Sequence, residues 1–165
     1  MYRAYHAIRG LTGPVGQSTN AVYGFITMLR KLVDDHQPEL LAAAFDLKGP
    51  TFRHELSEDY KANRRPMPDD LVEQVPWVHD ACAALGVPVV TQAGVEADDV
   101  LGSLALRAVA AQLDVVLVTG DKDFFQLVGD HIRIFNPRDE GTWYDSDHVL
   151  AKFGVRPDQV IDVLA

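Results

Sequence analysis

Several acidic residues follow apolar segments of strand length, and their type and placement could support metal chemistry. The apolar segments span residues 41–45, 87–90 and 115–118. The acids that follow them are Asp46, Asp99, Asp121, Asp123 and either Glu96 or Asp98. Because the carboxyl ends of parallel strands meet at one edge of a sheet, we expect these carboxylates to converge there.

Five carboxylates in one cleft repel each other strongly unless cations neutralise them. Hard oxygen ligands without cysteine suit Mg²⁺ or Mn²⁺. Two such ions held by shared carboxylates can hydrolyse a phosphodiester, since one generates the nucleophile and the other stabilises the leaving oxygen. The acids therefore indicate a hydrolytic site with two metal ions.

Each acidic group also has a simpler interpretation. Asp98 and Asp99 would favour a helix N-terminus through the helix dipole. Asp121 follows Gly120 and is a typical turn former, and Asp46 could be an ordinary strand-end residue. Their coincidence at three strand ends favours a metal site, but spacing alone leaves both interpretations open.

A basic stretch follows Asp46. Residues 48–65 contain five Lys or Arg against three acids, whereas residues 94–130 contain seven acids against two bases. A cationic segment beside an acidic, metal-binding pocket suits a polyanionic substrate, and Phe52 and Tyr60 could stack on bases. A solvated loop is the alternative interpretation.

The elements that must position these residues alternate between helix and strand. Apolar spacing predicts helices near 22–33, 68–85, 97–111, 147–153 and 158–164. Short apolar runs predict strands near 40–45, 87–90, 115–118 and 132–135. Ser18 and Thr19 predict the cap of the first helix, and Pro76 predicts a kink in the second. Strands that are apolar throughout are typical of an α/β fold whose parallel sheet is buried on both faces.

Composition narrows the class of protein. A length of 165 residues is typical of one globular domain, and no apolar run approaches the length of a membrane span. The start of the chain contains no continuous apolar run of the kind found in signal peptides. The single cysteine, Cys82, excludes an internal disulfide and a multi-cysteine zinc site, and it favours the reducing cytosol. A net charge of −9 by itself argues against nucleic-acid binding. The separation of acidic and basic segments removes that objection, because the basic segment can face phosphates.

Several longer motifs occur together in a recognisable order. They are YRAYH at 2–6, FD at 45–46, TFRHE at 51–55, YKANR at 60–64, EADD at 96–99 and TGDKD at 119–123. With these motifs the chain resembles the 5′→3′ exonuclease domains of bacterial DNA polymerase I, which belong to the flap endonuclease family. The resemblance implies a PIN-like, Rossmann-like three-layer fold with a mostly parallel central sheet flanked by helices. It also implies a structure-selective nuclease that uses two or more Mg²⁺ or Mn²⁺ ions.

The resemblance assigns roles by motif. The family's metal-site acids match Asp46, Glu96, Asp98, Asp99, Asp121 and Asp123. Residues that contact the DNA or the scissile phosphate match Arg3, Arg53, Tyr60, Lys61 and Arg64. Among these, Lys61, Arg64 and Arg3 are the candidate catalytic residues, because cations can stabilise charge on the phosphate in the transition state. Tyr60 would stack on the terminal base, and residues 48–65 correspond to a basic helical arch through which the 5′ strand passes.

The resemblance also implies binding partners, and it shows where this sequence differs from the family pattern. The implied partners are DNA with a 5′ flap, a nick or a single-stranded 5′ end, and an RNA primer. Whether a polymerase domain lies on the same parent polypeptide is left open. The protein is expected to be a cytoplasmic monomer that does not associate with a membrane. The family has a first strand with a ligand aspartate before the YRAYH motif, and a helix-hairpin-helix module after the last residues here. Residues 1–165 are therefore expected to be one domain that is weak or inactive alone.

Other functions compete with this one. A non-catalytic DNA-binding remnant and a stand-alone exonuclease-like protein of the same family are two alternatives. A phosphatase of the haloacid dehalogenase type needs two Asp residues two positions apart after the first strand. Asp121 and Asp123 have that spacing but follow a late strand, and the basic motifs stay unexplained.

Overall fold

The chain divides into two compact units, Met1–Gly94 and Val95–Ala165. The computed structural model describes residues 1–57, 60, 66–137 and 141–164, and the side chain of Arg3 is not among the described groups. No helix in these ranges is long and apolar enough to cross a membrane. The single domain over residues 1–165 stays a prediction.

The first unit combines helices with a short parallel strand pair. Its elements within the described ranges are α1 (Tyr2–Ala7), α2 (Asn20–His36), β1 (Ala43–Ala44), α3 (Phe52–Leu56), α4 (Asp69–Val72), α5 (Gln74–Ala84) and β2 (Val89–Val90). β1 and β2 are parallel, with Ala43 opposite Val89. Leu29 of α2, Cys82 of α5 and Val87 form a buried core against which both strands pack.

The predicted helices of this unit are found, and the second is divided into α4 and α5. α2 ends where Gln37 adopts a left-handed conformation with φ of 48°. α4 ends at Val72 and α5 begins at Gln74, and Glu73 between them keeps helical dihedrals with φ of −60° and ψ of −29°. Pro76 has no N–H to donate to the carbonyl of Val72, and its ring crowds that carbonyl. Pro76 therefore removes one helical hydrogen bond at this turn, and the kink itself stays a prediction.

The cap of α2 lies at the predicted position, but its acceptor comes from elsewhere in the chain. Thr19 is the N-cap residue, but its side chain makes no capping hydrogen bond. Instead, the N–H groups of Ala21 and Val22 donate to Oε1 of Gln74, at 2.8 and 3.2 Å. The predicted cap position is therefore confirmed at Thr19, but a buried residue of another helix supplies the acceptor.

The second unit contains a three-stranded sheet with helices. Its described elements are α6 (Ala97–Ala110), β3 (Val115–Val118), a 3₁₀ helix (Lys122–Leu127), β4 (Ile132–Asn136), β5 (Thr142–Tyr144), α7 (Ser146–Phe153), a second 3₁₀ helix (Pro157–Gln159) and α8 (Val160–Leu164). β4 lies between β3, to which it is parallel, and β5, to which it is antiparallel. The α/β class, with short and mostly parallel strand pairs, is confirmed.

One face of this sheet forms the core of the second unit. Leu117, Ile134 and Tyr144 are at most 5% exposed and belong to one buried cluster. Val116 and Val118 alternate with Leu117 along β3 and are 39% and 37% exposed. The expectation that the strands are buried on both faces is therefore wrong for β3. All of its residues are apolar, yet successive side chains still point to opposite faces, of which one is exposed.

Asp145 caps α7 and makes a testable contribution to stability. Its Oδ1 accepts the N–H of His148 at 3.0 Å and lies 2.7 Å from Nδ1 of the same residue. We expect Asp145→Ala to lower the free energy of unfolding by about 1 kcal/mol, and Asp145→Asn, which keeps an acceptor, to lower it less. Urea unfolding followed by circular dichroism measures both changes.

The backbone hydrogen bond from His148, followed by that residue's side chain, holds the pKa of the Asp145 carboxyl below its usual value. A carboxyl with a lowered folded-state pKa stabilises the protein fully above its unfolded-state pKa. That stabilisation is lost as the pH falls through the folded-state pKa. Wild type should therefore lose stability relative to Asp145→Asn once the pH falls below about 4. A stability difference that is the same at pH 7 and pH 3 would contradict this account.

Candidate functional site

Asp46 directly follows the parallel pair β1–β2. The ladder extends one residue past β1, because the N–H of Phe45 donates to the carbonyl of Val90 at 3.2 Å. The Phe45 ring packs in the first unit's core, with its centroid 5.9 Å from that of Phe25. Asp46 is the next residue and is exposed. The structure thus places this acid at the carboxyl end of a core strand.

Glu96 and Asp99 form a capping box at the N-terminus of α6. The Glu96 carboxylate accepts the N–H of Asp99, and Oδ2 of Asp99 accepts the N–H of Glu96 at 3.0 Å. Asp98 lies in the same first turn and is exposed. The simpler interpretation, that Asp98 and Asp99 favour a helix N-terminus, is therefore confirmed, and Glu96 and Asp99 also cap the helix. It does not exclude metal binding, because a carboxylate has about four acceptor directions.

Asp121 and Asp123 lie in a tight turn after β3. The ladder continues past β3, because the N–H of Thr119 donates to the carbonyl of Phe135 at 3.1 Å. The N–H of Asp121 donates to Oγ1 of Thr119, and Oδ1 of Asp121 accepts the N–H of Asp123, both at 3.0 Å. Both acids are exposed, while the following Phe124 and Phe125 are buried. Two buried rings thus anchor the turn that presents the acids.

The six predicted ligands belong to different units. Asp46 is in the first unit, and the second unit contains Glu96, Asp98, Asp99, Asp121 and Asp123. Among the described residues, no three His, Cys, Asp or Glu side chains are close enough together to hold a metal ion. The ligand set stays a prediction. Its chemistry, carboxylate oxygen throughout, fits Mg²⁺ or Mn²⁺.

The basic stretch contains α3, a helix too short to show a period. The N–H and the hydroxyl of Thr51 lie 3.1 and 3.0 Å from Nδ1 of His54, which completes a capping box. The Arg53 guanidinium lies 4.6 Å from the centre of the Phe52 ring, and the Tyr60 ring meets His54 at 5.3 Å and 90°. Cationic and aromatic groups are thus adjacent, a combination that suits phosphates and bases.

Three predicted phosphate contacts are not described at the level of their side chains. Lys61 and Arg64 lie outside the described residues. Arg3 lies in α1, but its side chain is outside the described groups as well. Their roles stay predictions.

Sequence reasoning missed two buried amide side chains, Asn20 and Gln74. Gln74 is fully buried and continues the apolar stripe of its helix, three residues after Leu71 and four before Val78. That position was the sequence feature that could have indicated a buried, hydrogen-bonded amide. A polar side chain in an apolar stripe must make its hydrogen bonds inside the protein.

Comparisons of the chain with known proteins agree with its motifs. The family model described as "5'-3' exonuclease, N-terminal resolvase-like domain" matches residues 1–154. DNA polymerase I of Pseudomonas aeruginosa is 49% identical over 165 residues, which are 100% of this chain and 18% of that protein. The thermostable DNA polymerase I of Thermus aquaticus is 39% identical over 164 residues, 99% of this chain and 19% of that protein. The chain therefore spans about a fifth of the length of these relatives.

Solved structures share the fold at lower identity. The T5 D15 protein co-crystallized with metal ions has a TM-score of 0.69 and 22% identity, covering 84% of this chain and 56% of that one. The catalytic core of Rad2 in complex with DNA substrate has a TM-score of 0.55 and 18% identity, covering 98% and 49%. These similarities agree with the PIN-like α/β fold.

Proposed function

The chain belongs to the family of 5′-3′ exonuclease N-terminal resolvase-like domains, and on this premise we propose that it is a divalent-metal-dependent 5′ nuclease acting on DNA. The observation that carries the proposal is the placement of the family's acids. Asp46 and Asp121 follow the core strands β1 and β3, and Glu96 opens α6. Capping bonds orient Glu96, Asp99 and Asp121 while leaving each carboxylate further acceptor directions.

The proposed chemistry is phosphodiester hydrolysis. Bound Mg²⁺ or Mn²⁺, in two or more copies, would activate water and stabilise developing negative charge. The side chains proposed to hold the ions are Asp46, Glu96, Asp98, Asp99, Asp121 and Asp123. Lys61 and Arg64, together with Arg3, would stabilise charge on the scissile phosphate. Arg53 and Tyr60 would hold the 5′ strand through phosphate contact and base stacking.

The proposed substrates are DNA with a 5′ flap, a nick or a single-stranded 5′ end, and RNA primers. Relatives named DNA polymerase I support a role in DNA synthesis, with a polymerase domain as the partner on one polypeptide. The DNA substrate bound to the Rad2 core supports DNA as the ligand. We propose that the protein acts as a monomer in the cytoplasm.

Cleavage of a 5′-end-labelled flap duplex tests the proposal. With Mg²⁺ or Mn²⁺, we expect the label in short 5′ fragments, and we expect EDTA to abolish them. Protein in excess over DNA makes a slow single turnover visible. Cleavage that persists in EDTA would contradict the proposal, as would a chain that neither cleaves nor binds the flap duplex.

Arg53→Ala is expected to weaken flap binding by roughly tenfold, because a charge-assisted phosphate contact is lost. The slope of log K against log salt concentration should also fall by about one. Fluorescence anisotropy across a salt series in EDTA measures both quantities. Arg107→Ala, which removes an exposed arginine near the end of α6, is the matched control. Equal salt slopes for wild type and Arg53→Ala would refute the contact.

A further inference from the structure

Two buried amides join four helices of the first unit, α1, α2, α4 and α5. Asn20 is 7% exposed and Gln74 is 0% exposed. Nε2 of Gln74 donates to Oδ1 of Asn20 at 3.1 Å and to the carbonyl of Asp70 at 3.0 Å. Oε1 of Gln74 accepts the first N–H groups of α2, as described above. We call this pair the amide clamp.

The clamp also holds the end of α1. Nδ2 of Asn20 donates to the carbonyls of Tyr5 and Ile8, at 2.7 and 2.9 Å. Oδ1 of Asn20 also accepts the N–H of Ala21 at 3.0 Å. Every donor hydrogen of the two amides is used, and each oxygen accepts twice. Loss of either amide would therefore leave several buried polar groups unsatisfied.

Two further contacts fix α1 in the same place. Gly24 of α2 lies so close to α1 that a Cβ there would collide with Cβ of Ala4 and lie 3.0 Å from Cδ1 of Ile8. The hydroxyl of Tyr5 donates to Oδ1 of Asp70 at 2.6 Å. Because a six-residue helix is not stable alone, these contacts determine where α1 lies.

We propose that Asn20 and Gln74 are positioning residues that hold α1, and with it the backbone of Arg3, where the arginine can reach a DNA phosphate. The proposal rests on the proposed function, because Arg3 is a predicted phosphate contact of that function. The clamp touches no substrate and acts only through the placement of α1. It adds a role for two residues outside the acidic and basic motifs.

Two variants perturb the clamp in different ways. Gln74→Met keeps the size of the side chain and removes its hydrogen bonds. Gly24→Ala keeps every polar group, favours the helical state of α2, and displaces α1 sterically. Leu29→Ala is the control that weakens packing elsewhere in the unit, because Leu29 is buried in a cluster that contains neither clamp residue and no residue of α1.

Hydrogen exchange and DNA affinity together test the proposal. We expect α1 amides to exchange at least tenfold faster in Gln74→Met and Gly24→Ala, but not in Leu29→Ala. Affinity for a 5′-flap duplex in EDTA should fall by roughly tenfold, and the salt slope should fall by about one, because one phosphate contact is lost. In an Arg3→Ala background, Gly24→Ala should cause no further loss of affinity.

Each contrary outcome has a distinct meaning. Unchanged exchange of α1 in both variants overturns the clamp itself. An equal loss of affinity with and without Arg3 overturns the positioning role and leaves the proposed function intact. A wild-type chain that does not bind flap DNA overturns the proposed function, and with it the link from the clamp to Arg3.

Discussion

Asp121→Asn is expected to lower the single-turnover cleavage rate of a 5′-flap duplex by at least about a hundredfold. The substitution removes one negative charge from the predicted ligand set. It keeps the side-chain oxygen that accepts the N–H of Asp123, so the 3₁₀ helix stays capped. Loss of activity can then be attributed to metal binding rather than to unfolding.

The matched control for this change is Asp145→Asn. Asp145 is also a helix N-cap, and its carboxylate accepts a backbone N–H at 3.0 Å, the same distance as for Asp121. Asp145 has no predicted part in the metal site, so the cleavage rate of Asp145→Asn should stay close to that of wild type.

A metal titration gives a second measurement. Raising the Mn²⁺ concentration should restore part of the activity of Asp121→Asn, because a site with weaker metal affinity needs a higher metal concentration to be occupied. Equal rates for the two variants would rule out Asp121 as a ligand.

Phe125→Ala is expected to lower the free energy of unfolding by about 3–5 kcal/mol. Phe125 is 3% exposed, and its ring lies 4.8 Å from that of Tyr144 and 5.2 Å from that of Phe153. Removal of the ring leaves a cavity beneath the turn that carries Asp121 and Asp123. The loss would be a large fraction of the stability of a typical domain.

Urea unfolding measures this effect, with Phe135→Ala as the control of the same chemical type. Phe135 is only partly buried, and its ring packs against Trp143 at 5.1 Å. We expect this substitution to cost clearly less than Phe125→Ala. A stability loss for Phe125→Ala no larger than that of the control would show that the 3₁₀ helix is not anchored by its buried rings.

The elements nearest the predicted acids could be read from local pattern. Val115 to Val118 form the predicted strand, and α6 begins at Ala97, directly after Glu96, as predicted. These segments are long or strongly apolar, so local preference and burial agree. α3 and β5 are too short to show a period, with five and three residues, and the pattern did not indicate them.

The roles of individual polar side chains could not be read in the same way. His54 has no evident partner in the sequence, yet it completes a capping box with Thr51. Thr19 is a good cap by residue type, yet Gln74 accepts the N–H groups of α2 from 53 and 52 residues away in the chain. Hydrogen bonds between segments so distant depend on packing, which no local propensity encodes.

The sequence by itself determined the α/β class, the order of the longer helices and of the apolar strands, and the acids that follow those strands. These follow from hydrophobic periodicity and residue type, which are local properties of the chain. Only the tertiary structure decided which partner satisfies each buried polar group, which face of β3 is buried, and that α1 is held by Asn20 and Gln74. The physical reason is that burial and hydrogen bonding depend on which segments pack against each other in the folded chain. A buried polar group without a hydrogen-bond partner costs free energy, so packing arrangements that satisfy such groups are favoured.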